Sequence, residues 1–247
     1  GDRRSLLKTL DTAVARLDRS QATANWDLQQ QRAFSFLGSA QTKNAFDIAS
    51  EPESVRRRYG EDLNAMSMLM ARRLVEVGVP FVTVFWKGDA EAAKKLNCKS
   101  GGGWDTHGNN FVCLKDYLLP KFDRPFSALL EDLSERGLLD ETLVLVNSEM
   151  GRKPKIGDPR SGGASGQGRD HWTHCQSVLM AGGGIRGGQA YGTSDKVAAY
   201  PADRPVAPED IAKTVYHSMG LGNPEAIDSQ GRPYRILEEG EPLTELF

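Results

Sequence analysis

The sequence predicts an α/β domain organised on a mostly parallel sheet, and three observations carry that expectation. The run Leu143-Val144-Leu145-Val146 is apolar without alternation, the pattern of a strand buried on both faces. A second run, Val79 to Trp86, follows a helical pattern that stops at Gly78, which makes half of an α/β repeat. After the first run the chain turns polar at Asn147-Ser148-Glu149 and enters a Gly-rich loop ending in Arg169-Asp170-His171-Trp172-Thr173-His174. A carboxylate at the end of such a strand lies where open α/β sheets bind ligands.

The other elements follow in order. From Leu6 to Leu37 apolar residues recur at helical spacing, which predicts an amphipathic helical pair with Ser20 as a cap between the halves. A short helical stretch ends at Ser50-Glu51-Pro52, and Arg56-Arg57-Arg58 reads as a solvated face. Leu63, Met66, Leu69, Met70, Leu74 and Val77 form the next helical stripe, with its methionines as core filling. Residues 87–100 form a polar, Lys-containing surface excursion, and Gly101-Gly102-Gly103 delivers Trp104-Asp105-Thr106-His107-Gly108-Asn109-Asn110. The helix after it carries Phe111, Leu114, Leu118, Phe122, Phe126 and Leu129 on one stripe, with Pro120 and Pro125 kinking or splitting it. Ser177 to Ala181 reads as a short strand, 191–205 as loop, Pro208 to Met219 as a helix, and Tyr234 to Leu237 as an edge strand.

At 247 residues with 39% hydrophobic and 26% charged residues, one ordinary globular α/β domain is the simplest reading. The formal net charge of −2 shows no basic excess, which argues against nucleic acid as a partner. No apolar run approaches the ~18 residues of a membrane span. Three cysteines, Cys98, Cys113 and Cys175, are too few and scattered for a disulfide framework or a zinc knuckle and leave the redox compartment open.

Three of the four histidines, His107, His171 and His174, fall in two short clusters that each hold an acid and each follow glycines. Glu149 lies at a strand end between them. Imidazole and carboxylate together suit a divalent ion, with softness and geometry deciding among zinc, iron, calcium, magnesium and manganese. The metal-ligand candidates are therefore Asp105, His107, Glu149, Asp170, His171 and His174. The alternative is structural: Asp105 and Asp170 cap helices, and the histidines pack on Trp104 and Trp172. Arg152 and Arg169 flank the acids as candidate catalytic groups that hold an anionic ester, or as ion-pair partners of Glu149 and Asp170. His217, beside Val215 and Met219, reads as structural. Gly182 to Gly188 lacks the spacing of a nucleotide loop, and Ser148 and Ser165 are not in a GxSxG elbow.

The segments Gly103-Trp104-Asp105-Thr106-His107-Gly108-Asn109-Asn110, Ser148 to Ile156 and Gly168-Arg169-Asp170-His171-Trp172 resemble the hallmark segments of the bacterial domain-of-unknown-function family fifteen-oh-one, abundant in planctomycetes. The likeness continues through Ala181 to Gly188 and Tyr200 to Val206 and covers nearly the whole chain. That family is placed in the alkaline-phosphatase-like superfamily with sulfatases and phosphomutases. The resemblance implies a three-layer α/β/α sandwich as a single domain over 1–247, with a helical segment over 1–60 packed on it. It further implies divalent-metal chemistry, with Asp105 and His107 as a first ligand group, Glu149 as the strand-end acid and His171 or His174 as the late histidine. Met150 departs from the pattern, since superfamily relatives commonly carry a second ligand, His or Asn, after that acid.

The chain opens on Gly1-Asp2-Arg3-Arg4 with no initiator Met and no signal core, and it lacks the Gly-Gly-Pro-Ser-like segment that supplies the superfamily nucleophile. It reads as the C-terminal portion of a longer protein, for which the resemblance implies a periplasmic or secreted location, with the cytoplasm as the alternative. Two functions are expected from different classes. One is a metal-dependent hydrolase of phosphate or sulfate esters, with a small anionic ester as partner. The other is a binding or scaffold protein that keeps the fold without catalysis. Oligomeric state has no signature in the sequence.

Overall fold

The computed structural model describes residues 28, 30–31, 39–98, 103–157 and 168–247. The helical pair expected over 6–37 falls outside them, apart from residues 28, 30 and 31. The chain mixes helices with four short antiparallel strand pairs among the described residues.

The first helices are α1 (Ala40–Ala45), capped by the Ser39 side chain, and α2 (Glu53–Tyr59). Helix α3 (Leu63–Glu76) starts where Asp62 accepts from the backbone N–H groups of Asn64 and Ala65, satisfying two otherwise orphaned donors. Of the stripe expected on it only Leu69 is buried; the buried face is offset, with Ala65, Met68 and Leu69 against Tyr59 and Ala128, Met66 packed beside them and Leu63 exposed. The same face also buries Arg72 and Arg73. Arg72 is fully buried and reaches Glu51 at 2.8 Å, Glu76 at 2.6 Å and Asp132 at 2.8 Å. Asp132 also accepts from the Tyr59 hydroxyl at 2.9 Å. A buried guanidinium persists only with such partners, so this network ties α2, α3 and the long helix below to one another.

Helix α4 (Ala90–Lys95) corrects the reading of 87–100 as a plain excursion, with Asp89 capping it. Helix α5 (Asn110–Cys113), a π turn (Leu114–Leu118) and helix α6 (Leu119–Glu135) are continuous. The π turn precedes Pro120, whose missing N–H cannot close an ordinary helical bond, and Pro125 is carried inside α6. Trp86, Trp104 and Phe122 meet edge to face or tilted, with ring centroids 5.6 to 6.2 Å apart. They join the α2/α3/α6 core to a second cluster built on Ala93, Cys98, Cys113 and Leu118.

The strands correct the sequence reading. Strand β1 (Val144–Val146) is half-buried and pairs with β4 (Leu179–Ala181) antiparallel, in the register Val144↔Ala181. The expected parallel three-layer α/β/α sandwich is therefore not found. A parallel neighbour needs a crossover, usually a helix. Among the described residues between 146 and 179 there is none; instead β2 (Gly151–Arg152) pairs antiparallel with β3 (His171–Trp172). The apolar run at 79–86 is not a strand. It has the composition, but no described segment forms a strand ladder with it, and Phe81 and Phe85 are exposed. The region read as loop at 191–205 holds a pair, β5 (Thr193–Ser194) with β6 (Pro201–Asp203). Helix α7 (Pro208–Ser218) and the pair β7 (Glu225–Ile227) with β8 (Pro233–Arg235) complete the chain. No described helix is long and apolar enough to cross a membrane.

Candidate metal centre

The segment 103–109 presents its residues alternately. Trp104 packs on the second core cluster and Thr106 is buried, its hydroxyl donating to the Asn110 side chain. Of Asp105 and His107, one position on from each, the first is exposed and the second half-buried. Asn109 adopts a left-handed backbone, φ 53°, which asparagine tolerates, and donates from its side chain to the Leu96 carbonyl at 2.8 Å. It occupies the cap position of the next helix without making a side-chain cap bond.

The third group comes from the β2/β3 pair. Arg152 stands opposite His171 in the register, and Lys153 N–H donates to the Asp170 carbonyl at 2.7 Å. Gly168 brings this segment against the other, since a Cβ there would lie 1.4 Å from the His107 carbonyl oxygen. Only glycine permits so close a backbone approach.

The outcome is a convergence on one point. Asp105 Oδ1 lies 2.9 Å from His107 Nε2 and 2.7 Å from His171 Nε2, and those two nitrogens are 3.1 Å apart. An imidazole Nε2 offers a lone pair in the tautomer that carries its proton on Nδ1, and a carboxylate oxygen offers lone pairs beside it. Three lone-pair donors can surround a cation: bonds of about 2.0–2.2 Å at tetrahedral angles give donor separations of roughly 3.3–3.6 Å, so the 2.7 to 3.1 Å separations here would open by about 0.5 Å to hold one. Asp105, His107 and His171 are the set among the described residues that meets a three-ligand criterion. The remaining nitrogen of His107 is buried without a hydrogen-bond partner, 3.7 Å from Asp170 Oδ1. A carboxylate on the far side of a ligating imidazole is a common way of setting its tautomer.

Arg152 reaches the same oxygen of Asp105 at 2.6 Å and also donates to the carbonyls of Trp104 at 2.9 Å and Arg169 at 3.1 Å. Burial alone would raise the pKa of Asp105; the hydrogen bonds from His171 and Arg152 and the charges of Arg152 and His107 hold it below its ordinary value. Arg169 donates to the carbonyls of Lys153 at 2.6 Å and Arg152 at 2.9 Å, so each arginine grips the other's backbone. Burial and the neighbouring Arg152 charge lower the pKa of Arg169.

Of the six candidate ligands, the structure brings Asp105, His107 and His171 together, with Asp170 beside them. Glu149 is exposed at the end of β1 and outside the cluster. His174 is also outside it, its ring packed between Trp172 and Tyr200 at 4.8 and 5.1 Å. Neither arginine takes the acid first considered for it; Arg152 pairs with Asp105, and Arg169 with backbone. His217 packs edge to face on Phe247, as a structural histidine would. Two contributors were missed in the sequence. Gly168 is silent because a glycine does not name what approaches it. The Cys98–Cys113 disulfide brackets the Asp105 loop, and that bracketing was visible in the cysteine positions.

Comparison with curated proteins and with solved structures finds no match. A family model described as "Protein of unknown function (DUF1501)" matches residues 1–247. The chain with this Asp105, His107 and His171 centre belongs to that family.

Proposed function

We propose that this chain binds a divalent cation through Asp105, His107 and His171 and hydrolyses phosphate or sulfate monoesters there. The observation that carries the reading is the meeting of Asp105 Oδ1 and two imidazole Nε2 atoms within 3.1 Å of one another. A donor set of two imidazoles and one carboxylate fits zinc or manganese better than calcium or magnesium, which favour all-oxygen surroundings. When bound, such a cation supplies Lewis-acid polarisation of an ester oxygen and a lowered pKa for water.

The chain's own groups do the rest. Among the described residues three side chains supply donors, and three protein ligands with a fourth position left to water or substrate is the arrangement of catalytic rather than closed structural centres. Arg152 gives Nη2 to Asp105 and the Trp104 carbonyl and one Nη1 hydrogen to the Arg169 carbonyl, so its remaining donors, Nε and the second Nη1 hydrogen, are those it offers an ester oxyanion. Asp170 Oδ1, 3.7 Å from His107 Nδ1, places a negative charge on the far side of that ring. Alkaline-phosphatase-like ancestry belongs to this reading and is supported by the residue motifs. Export to the periplasm or beyond is supported by the Cys98–Cys113 bridge, since disulfides persist in oxidising compartments.

The second reading, a binding protein without turnover, is favoured by Glu149 standing outside the cluster and by Met150 after it. Hydrolysis of p-nitrophenyl phosphate and p-nitrophenyl sulfate by the zinc- and manganese-loaded protein separates the two. Turnover that is lost on chelation, and reduced about 100-fold or more in Asp105→Ala, supports the hydrolase. Turnover indifferent to both treatments sinks it. Metal uptake with no turnover leaves the binding protein.

A further inference from the structure

We infer that the Cys98–Cys113 disulfide is the positioning element for the Asp105 and His107 half of the cation site, so that cation affinity is coupled to the redox state of this cysteine pair. The inference rests on the cation reading of the cluster proposed above. The bridge joins residues 15 apart in sequence, with a Cα–Cα distance of 5.9 Å, and the loop it closes contains Trp104 to Asn110.

Both ends of that loop are fixed at one place. Cys113 is fully buried and Cys98 is 9% exposed, and together with Ala93 and Leu118 they form the centre of the second core cluster. Trp104, immediately before Asp105, packs against it. Residues 103–109 carry no helix or strand of their own. Their side-chain anchors include Thr106 on Asn110 and Asn109 on the Leu96 carbonyl, and the second closes correctly only while 96–98 stays beside 110–113. The bridge enforces that adjacency covalently.

His171 is carried differently. Its segment is paired with 151–153 through backbone bonds and does not depend on the bridge. Opening the disulfide therefore removes the covalent restraint on two of the three donors, leaving that loop the Arg152 bonds to Trp104 and Asp105, while the third donor keeps its own strand pairing. Oxidised, the loop holds Asp105 Oδ1 and His107 Nε2 2.9 Å apart, poised beside one another for a cation; reduced, binding must order the loop first.

The redox step is ordinary thiol–disulfide exchange with a dithiol. One thiolate of the dithiol attacks Cys98 Sγ, the less buried sulfur, and breaks the S–S bond, leaving Cys113 as the thiolate. The second thiol of the dithiol displaces Cys98 and closes the reductant's own disulfide. Two electrons pass to the protein, and the two protons released by the dithiol end on Cys98 and Cys113. By linkage, whatever factor the bridge contributes to cation affinity, the cation returns as resistance of the bridge to reduction.

Manganese is the probe, because a hard cation binds the freed thiols poorly. Binding is read from loss of the free Mn2+ electron paramagnetic resonance signal, with the oxidised protein compared with the Cys98→Ser, Cys113→Ser double variant, which keeps Cys175. The expected result is a Kd higher in the variant by about tenfold or more, from the lost loop constraint. Independently, saturating Mn2+ should raise by the same factor the dithiothreitol ratio at which half the wild-type bridge is reduced. Binding within about threefold in a variant of unchanged circular dichroism, or a reduction midpoint that Mn2+ does not move, overturns the inference and leaves the site intact. If the oxidised wild type takes up no Mn2+, the cation site itself falls and the inference with it. Should the variant not fold, the wild-type midpoint decides alone.

Discussion

Gly168→Ala is the sharpest perturbation of the proposed centre, because it adds one methyl group and removes no ligand. The new Cβ would stand 1.4 Å from the His107 carbonyl oxygen, 2.4 Å from its carbon and 3.1 Å from Gly108 Cα. Non-bonded contact requires about 3.5 Å, so the two segments must part by roughly 2 Å. His171 lies three residues along the displaced segment, and its Nε2 is now 2.7 Å from Asp105 Oδ1. Ligand bonds tolerate about 0.2 Å of misplacement, so even half of that parting takes His171 out of range. We expect cation affinity to fall about 100-fold, while global stability falls by only about 1–3 kcal/mol, the usual cost of overpacking. The assay is a Mn2+ titration beside a thermal melt. A Gly168→Ala protein that melts like the wild type and binds Mn2+ within about threefold of it would refute the idea that this contact sets the site.

Three further outcomes concern the scaffold. Asp132→Ala, which strips the fully buried Arg72 of a partner at 2.8 Å and Tyr59 of its acceptor, should cost about 3–5 kcal/mol in urea unfolding; a loss below about 1 kcal/mol would mean the network is not what holds α2, α3 and α6 together. Burial works to raise the pKa of Glu51 and Asp132, but Arg72 and Arg73 beside Glu51, and Arg136, Tyr59 and Arg72 beside Asp132, hold both below their ordinary values. With depressed folded values, their stabilisation is present above about pH 4 and is lost as pH falls through those values, so Glu51→Gln should flatten the acid limb of a melting-against-pH curve; an unchanged slope would contradict this. Removing the Cys98–Cys113 bridge should lower unfolding free energy by about 3 kcal/mol for a loop of this length, measured by denaturant titration under oxidising conditions.

How much of this the sequence disclosed divides along a physical line. Helices Leu63–Glu76, Leu119–Glu135 and Pro208–Ser218 were legible because their apolar period is a local property that needs no partner. Strands were not, because a strand is defined by its neighbour. The run at 79–86 has the right residues and no pairing, while Thr193–Ser194 and Pro201–Asp203 pair with no apolar run to announce them. Direction was hidden as well: nothing in Leu143 to Val146 says that Leu179–Ala181 returns antiparallel beside it. Arg72 and Arg73 lie on the buried face of α3, which the apolar period of the sequence meets only at Leu69, and their distant partners Glu51 and Asp132 make that burial tolerable. In the site, composition singled out Asp105, His107 and His171 but gave Glu149 and His174 equal standing. The separation between them came from tertiary contacts, chiefly the Gly168 approach and the Arg152 register, which leave no local trace.

The most direct test of the centre is anomalous scattering from crystals of the zinc- or manganese-loaded protein, collected on both sides of the metal's absorption edge. The expected result is a peak about 2.0–2.2 Å from Asp105 Oδ1, His107 Nε2 and His171 Nε2. A loaded crystal with no peak there, or with the metal bound at Glu149 or His174 instead, would contradict the site.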